Sequence, residues 1–275
     1  MTGYLRAVQT AMSHGLATFL RRRRTYFVFA LVLLPALIPL LLFFVPHEHN
    51  GHTLLRGEVL TQMIEIFYIT GVTPLLALFF AAMLVGEDVE SQTVSYILTR
   101  PMPRSAWVIG RFGAYLAIAS GTIGIAIVTL YFSVLPLEHT NTSDVSLLTL
   151  LRYEGVAVLT LFAYGALCAL LGALVRHPIV VGVLLMFVWQ RMAMLAPGMT
   201  DFLTIQKYTT TLLPRGGNSV AAVIGGTVDQ FYRSPIAVEP IAAALTLVLF
   251  GAVCLILASF AVCQREYTTP VAVTE

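Results

Sequence analysis

Residues 86–111 read GEDVESQTVSYILTRPMPRSAWVIGR, the most polar run in a very apolar chain. The run lies between two long hydrophobic segments. Three acids open it and three arginines close it: Glu87, Asp88 and Glu90, then Arg100, Arg104 and Arg111. Acids at the start of a helix oppose the positive end of its dipole. We therefore predict a polar helix over 87–99 that lies at the inner membrane surface.

The second half of this run predicts a turn back into the membrane. Pro101 and Pro103 end the polar helix, because the residue before a proline is pushed out of helical geometry. Ser105 then has the side chain of a typical helix N-cap. The stretch is thus predicted to be a surface helix, a sharp turn and the start of a new membrane span.

The composition of the whole chain indicates a membrane protein. Of its 275 residues, 58% are hydrophobic and 11% are charged, whereas a soluble domain carries about 25% charged residues. Runs of about 20 apolar residues are long enough to cross a bilayer. We therefore predict an all-α fold, a single transmembrane helical bundle that takes up residues 1–275.

Six apolar runs are predicted to cross the membrane, at 26–45, 64–85, 107–135, 147–175, 179–196 and 241–263. A long loop on the outer side occupies 197–239. Cytoplasmic segments are enriched in arginine and lysine, and ten of the sixteen basic residues fall on the segments placed inside. We expect a multi-pass protein of a prokaryotic plasma membrane with both termini in the cytoplasm.

The N-terminal segment predicts an amphipathic helix on the inner membrane surface. Its large apolar residues recur every three or four positions in one stripe: Leu5, Val8, Met12, Leu16 and Phe19. Such a stripe is typical of interfacial helices. Arg21 to Arg24 mark the cytoplasmic end of the first span, and Pro35 and Pro39 are expected to kink that span.

The polar run also resembles a known family. Its matching residues are Glu90, Thr93, Ile97, Leu98, Pro101, Arg104, Gly110 and Arg111. Their order is similar to the E-x-G-T-L-x-x-L-L-x-x-P-V-S-R…G-K signature of permease subunits of type-2 ABC transporters, in the branch of the nitrous-oxide-reductase maturation permeases. Gln92 stands where the family has glycine, and Arg111 stands where it usually has lysine.

The resemblance implies a permease that is driven by two cytoplasmic ABC ATPase subunits. ATP and Mg would be bound in those partners. A second copy of the permease would complete a homodimer. It also implies export, although no residue pattern argues against import. The helix over 87–99 would be the coupling helix that docks on the ATPase. The coupling residues would be Glu87, Asp88, Glu90, Thr93, Ile97, Leu98, Pro101, Arg104 and Arg111.

Four common motifs of nucleotide binding, metal binding and catalysis are missing from the sequence. No G-x-x-x-x-G-K-[ST] loop is present, and the one lysine, Lys207, falls in the outer loop. H-E-x-x-H, C-x-x-C and G-x-S-x-G are also absent. We therefore predict that the chain is not an enzyme by itself and binds no cofactor. The Arg21 to Arg24 run lacks the accompanying aromatic and basic residues of a nucleic-acid surface, so no nucleic acid is expected.

A metal site in the first outer loop is the weaker of two interpretations. His47, His49 and His52 cluster there with Glu48, and imidazoles and carboxylates are common metal ligands. A solvated polar loop explains the same residues, and we predict no metal site.

Four residues are candidates for the substrate path: Glu65, Glu154, Phe202 and Tyr208. Charged side chains in a membrane are costly and usually face a partner or water, and the two glutamates fall near the outer ends of the second and fourth spans. The two aromatic residues belong to an amphipathic segment over 202–212 in the outer loop. That segment is either a lid over an exit path or a packing cap.

Two other classes of function fit parts of the sequence. A membrane scaffold or sensor that couples to an ATPase without transport would share the polar helix. A polytopic membrane enzyme would need a nucleophile with a base, or metal ligands, at membrane depth, and the sequence shows neither arrangement. The ABC permease explains more of the pattern than either.

Overall fold

The computed structural model describes residues 2–39, 60–61, 63–81, 103–134, 147–175, 177–195, 202–213 and 238–264. Across these ranges the chain is helical and contains no strand, which confirms the predicted all-α class. Four helices in them are long and apolar enough to cross a membrane: Met63–Ala81, Arg104–Val134, Leu147–Leu174 and Pro240–Gln264. The other two predicted spans contain shorter apolar helices, Thr25–Leu37 and Pro178–Trp189, so length and composition support four of the six.

We number the helices in chain order. They are α1 (Thr2–Arg21), α2 (Arg23–Leu33), α3 (Met63–Ala81), α4 (Arg104–Val134), α5 (Leu147–Leu174), α6 (178–195), α7 (Ile205–Leu212) and α8 (Pro240–Gln264). After α2 the winding tightens into a 3-10 turn at Leu34–Leu37. Pro35 lies in this turn and has no N–H for an α-helical bond. The change of winding thus occurs at the first of the two prolines expected to kink this span.

The first part of α3 is wound as a π-helix, Met63–Val72. Two hydroxyls follow this wider winding: Thr70 Oγ1 donates to the carbonyl of Glu65 at 2.9 Å, and Thr73 Oγ1 donates to that of Tyr68 at 2.7 Å. Each acceptor is five residues back, whereas threonines in α-helices bond four residues back. π-helical turns are rare and often occur at functional sites, and the substrate-path candidate Glu65 lies in this segment.

Helix α5 is the centre of the bundle and contacts α3, α4, α6, α7 and α8. The fully buried Tyr115 reaches it from α4, and its hydroxyl donates to the carbonyl of Leu161 at 3.0 Å. The Tyr115 ring lies directly on Gly165, where an added Cβ would be 2.7 Å from Tyr115 Cζ. Small residues allow close packing between helices in a membrane, and Gly165 provides that space between α4 and α5.

Helix α8 buries one narrow stripe and exposes the rest of its surface. Leu247 and Cys254 are buried, whereas Ile241, Leu249 and Ile256 are more than half exposed. Its main contacts are with α5. Lipid tails are as apolar as leucine, so a helix in a bilayer can leave large apolar side chains on its outer face without cost.

The predicted stripe of α1 lies on the packed face of the helix except at its start. Leu5, at one end of the stripe, is 67% exposed, whereas Phe19, at the other end, is buried. Met12 and Leu16 pack against the core, and Ala11 and Gly15 lie beside them on the face that contacts α4. Small residues become buried by close backbone approach, and a periodicity of large apolar side chains does not detect them. The position of α1 at the membrane surface stays a prediction.

Candidate functional site

The described part of the polar run starts where α4 begins. The carbonyl of Pro103 accepts hydrogen bonds from the N–H groups of Ala106 and Trp107, at 3.0 and 3.3 Å. Ser105 therefore lies inside the first turn of α4, and the prediction that it caps the helix from outside is wrong. Its Oγ instead accepts a hydrogen bond from the hydroxyl of Tyr4 in α1, at 3.4 Å. The first turn of α4 is thus attached to α1.

Arg104 attaches the same turn of α4 to the far end of the chain. Its Nη1 donates to the carbonyl of Cys263 at 3.2 Å. Cys263 belongs to the last turn of α8, whose carbonyls have no donor within their own helix. A guanidinium there also lies at the negative end of the helix dipole. The contact brings together residues 159 positions apart in the sequence.

The closest approach between α1 and α4 lies one to two turns further along. A Cβ on Gly110 would be 2.6 Å from the Cβ of Ala11 and 2.6 Å from the carbonyl oxygen of Val8. A Cβ on Gly15 would be 2.9 Å from that of Ala114. Each helix thus offers two small residues four positions apart, which is the spacing of close helix crossings in membranes. Gly110 of the family-like signature therefore has a packing role.

Arg111, the last residue of the signature, is packed within this crossing. It is 9% exposed. Its guanidinium carbon lies 5.2 Å from the centroid of the Trp107 ring, and such cation–π contacts contribute about 0.5–2 kcal/mol. We call the whole group the inner cluster, after the membrane side on which the sequence predicts it: Tyr4, Ala11, Gly15, Arg104, Trp107, Gly110, Arg111 and Cys263.

Most of the predicted coupling set cannot be placed in this cluster. Glu87, Asp88, Glu90, Thr93, Ile97, Leu98 and Pro101 all lie outside the described residues. Arg104 and Arg111 are described, and both belong to the inner cluster. The inner cluster is therefore the base from which the undescribed stretch 82–102 enters α4. The roles of all nine residues in coupling stay predictions.

On the other side of the bundle, the predicted amphipathic segment forms helix α7. It packs against α5, α8 and α3. The hydroxyl oxygens of Thr209 in α7 and Thr160 in α5 lie 3.3 Å apart, and both residues are buried. A polar contact between buried hydroxyls fixes the position of α7 against the centre of α5. The helix is thus inserted between other helices rather than resting on the bundle.

The two aromatic candidates, one just before α7 and one within it, contact each other. The Tyr208 hydroxyl donates to the carbonyl of Phe202 at 2.9 Å. The amino nitrogen of Lys207 lies 3.5 Å from the centroid of the Phe202 ring, and Lys207 is 7% exposed. Phe202 and Tyr208 therefore belong to one local arrangement that includes Lys207, the chain's single lysine.

The two glutamates of the predicted substrate path are half-buried and have different neighbours. Glu154 in α5 lies over Gly124 of α4, where an added Cβ would be 3.0 Å from Glu154 Oε1. Glu65 lies in the π-helical part of α3. The buried Tyr153, which precedes Glu154, donates to Thr61 Oγ1 at 3.1 Å. No described contact joins the two carboxylates to each other, or joins either of them to Phe202 and Tyr208.

Two other features of the described residues bear on ligands. A groove of about 350 Å³ lies between α5 and α7, lined by Arg152, Gly155, Val156, Leu159 and Leu212. None of the four substrate-path candidates lines it. No group of three or more potential metal ligands occurs within the described ranges. His47, Glu48, His49 and His52 lie outside those ranges.

Comparison with protein-family models gives a match for this chain. Residues 18–193 match the model of a family described as ABC-2 family transporter protein. The matched range is more than half of the chain and includes the polar run and the N-terminal end of α4. No curated protein matches the chain.

Proposed function

Because the chain belongs to the ABC-2 transporter family, we propose that it is the membrane-spanning permease subunit of an ABC transporter that exports its substrate. The match over residues 18–193 is the observation that carries this proposal. Four long apolar helices, with α5 at their centre, support the membrane-embedded part. The branch of nitrous-oxide-reductase maturation permeases, which the polar run resembles, is part of the proposal.

The energy for transport would come from a separate ATPase. The sequence has no phosphate-binding loop of the G-x-x-x-x-G-K-[ST] type, in which backbone N–H groups and a lysine hold the nucleotide phosphates. We therefore assign ATP and Mg to two cytoplasmic ATPase subunits. The permease would act as a homodimer, and the substrate would cross between its two copies.

The polar run would be the site at which the ATPase docks. Its acids would steer and orient the partner, because charges at the rim of an interface act mainly in this way. Its apolar residues Ile97 and Leu98 would supply the binding energy. In the sequence, the run continues directly into the inner cluster. This continuity supports a docking site on the run, because movement of the run would be transmitted directly to α4.

The proposed function is tested by purifying the tagged chain from its native membranes in mild detergent. We expect a protein with a phosphate-binding loop to copurify, and the complex to hydrolyse ATP. Mass spectrometry identifies the partner, and a phosphate-release assay measures hydrolysis. A preparation of folded permease that contains no such protein and shows no hydrolysis would contradict the proposal.

Labelling of introduced cysteines tests the proposed orientation. We expect a cysteine at position 218 to react with an impermeant maleimide in intact cells, and a cysteine at position 95 to react only after the membrane is opened. The physical reason is the excess of arginine on the segments placed inside. The labelling is read in a chain whose three native cysteines have been replaced. The reverse pattern would show that the topology is inverted.

Substitution of Phe202 and Tyr208 by serine tests the proposed role of α7 in substrate passage. We expect the double variant to assemble with the ATPase but to change ATP-dependent transport, because α7 lies on the outer side of the proposed topology, away from the docking run. Copurification measures assembly, and uptake into inverted vesicles measures transport. Loss of assembly without a specific effect on transport would identify α7 as a packing cap.

A further inference from the structure

We infer that Arg104 is a positioning residue for energy coupling. Its side chain makes the C-terminal end of α8 move together with the N-terminal end of α4. This inference rests on the proposed function and deepens it. It supplies a path by which an ATPase acting on the stretch before Arg104 reaches the last helix of the chain. The family-like signature contains Arg104, and the structure gives this residue a partner within the chain.

The contact has the geometry of a helix-end attachment. Arg104 Nη1 lies 3.2 Å from the carbonyl oxygen of Cys263, and α8 ends one residue later, at Gln264. Carbonyl groups in the last turn of a helix need a hydrogen-bond donor from outside the helix. Basic side chains are the groups that commonly bond them and complement the helix dipole. Arg104 thus satisfies a group that the end of α8 leaves available.

The start of α4 is held on a second side by α1. The hydroxyl of Tyr4 bonds Ser105, and Gly110 leaves room for Ala11 and the backbone at Val8. These contacts lie within two turns of Arg104. Because α4 packs against α1, and contacts α8 both through helix packing and through the Arg104 guanidinium, a displacement of Pro103 would be carried to both neighbours. The link to α1 includes close backbone packing, whereas the link to the last turn of α8 includes the hydrogen bond of one exposed side chain.

That difference separates a coupling role from a stabilising one. The Arg104 hydrogen bond is exposed, and single exposed polar contacts contribute little to stability. The packing of α8 against α5 is far more extensive. Removal of the Arg104 side chain should therefore leave the bundle folded but allow the end of α8 to stay in place when α4 moves.

The protein carries a natural reporter for this movement. Cys263 has an exposed side chain, whereas Cys168 and Cys254 are buried. In the full complex with the ATPase, the rate at which a maleimide labels Cys263 can be read on its own peptide by mass spectrometry. The rate is compared within each variant between the nucleotide-free complex and the complex trapped with ATP and vanadate.

We expect nucleotide trapping to change the labelling rate of Cys263 several-fold in the parent complex. Arg104→Ala should abolish this response, and Arg104→Lys, which keeps a charged donor, should retain part of it. The ATPase should still copurify with both variants, because the Arg104 side chain is directed at α8. Arg6→Ala is the matched control: it removes an exposed arginine from α1, on the same side, and should leave the response intact.

Three results would overturn the inference while leaving the proposed function standing. They are a full nucleotide response in Arg104→Ala, a parent complex that hydrolyses ATP with no change at Cys263, and an Arg104→Ala chain that fails to fold. The last result would mean that the contact is structural. Absence of any ATPase from the folded parent would instead overturn the proposed function, and the inference with it.

Discussion

Replacing Gly165 with leucine is expected to destroy the folded state of the bundle. Gly165 lies against the ring of Tyr115, which is fully buried. Overpacking of this kind costs about 1–3 kcal/mol or more. Displacement of the ring would also break the bond from its hydroxyl to the Leu161 carbonyl, and a buried polar group left without a partner costs about 1–3 kcal/mol.

Gly155→Leu is a matched control in the same helix. Nothing lies within 4 Å of a Cβ at Gly155, so the same substitution adds a side chain to open space. Size-exclusion chromatography and thermal unfolding in detergent should show an aggregated or strongly destabilised Gly165→Leu protein and a nearly unchanged Gly155→Leu protein. Equal behaviour of the two variants would mean that α4 and α5 do not pack as described.

Hydropathy was sufficient to predict the long helices. The prediction of a span over 147–175 overlaps α5, Leu147–Leu174, and that over 241–263 overlaps α8, Pro240–Gln264. Apolar runs of this length leave few alternatives, because a membrane span must satisfy its own backbone hydrogen bonds. The span predicted over 179–196 corresponds to a shorter apolar helix, Pro178–Trp189, in which the winding changes from α to π.

The inner cluster was only partly predictable. A signal was present in the sequence, because Ala11 and Gly15 in one helix and Gly110 and Ala114 in another have the four-residue spacing of close crossings. The large apolar residues of α1 indicated the packed face, but not that small residues make its closest contacts with α4. The bond from Arg104 to Cys263 had no local signal, since it joins positions 159 residues apart and depends on how α4 and α8 pack.

The substrate-path candidates show a further limit of the sequence. Tertiary packing buries Thr160 and Thr209 and places α7 beside α5. The amphipathicity of a segment does not encode such packing. The pattern over 202–212 correctly indicated a helix, Ile205–Leu212. It did not indicate that the buried side chains of this helix would include Lys207.

Replacing Leu98 with aspartate is expected to remove most of the affinity for the ATPase. Leu98 is a proposed apolar anchor of the docking run, and truncation of such an anchor costs about 2 kcal/mol or more. That cost lowers the affinity by a factor of about 30. Leu98→Ile keeps an apolar side chain of the same size and should bind like the parent. The folded state of both variants is checked by size-exclusion chromatography.

Charge reversal at the acidic end of the run should have a smaller and salt-dependent effect. Glu90→Lys and Glu87→Lys should slow association with the ATPase, because rim charges steer the encounter. A second charge reversal, from basic to acidic in the ATPase groove, should restore part of the rate. If the acids only complement the helix dipole, their loss would cost about 0.3–1 kcal/mol in helix stability and would leave ATPase binding unchanged.

The central claim is that this permease is driven by an ATPase that docks on the polar run. Its most direct test is the amount of ATPase that copurifies with Leu98→Asp compared with Leu98→Ile, each normalised to folded permease. We expect the aspartate variant to lose the ATPase and the isoleucine variant to keep it. If both variants, together with Glu90→Lys, retain the ATPase at the level of the parent, the run is not the coupling site.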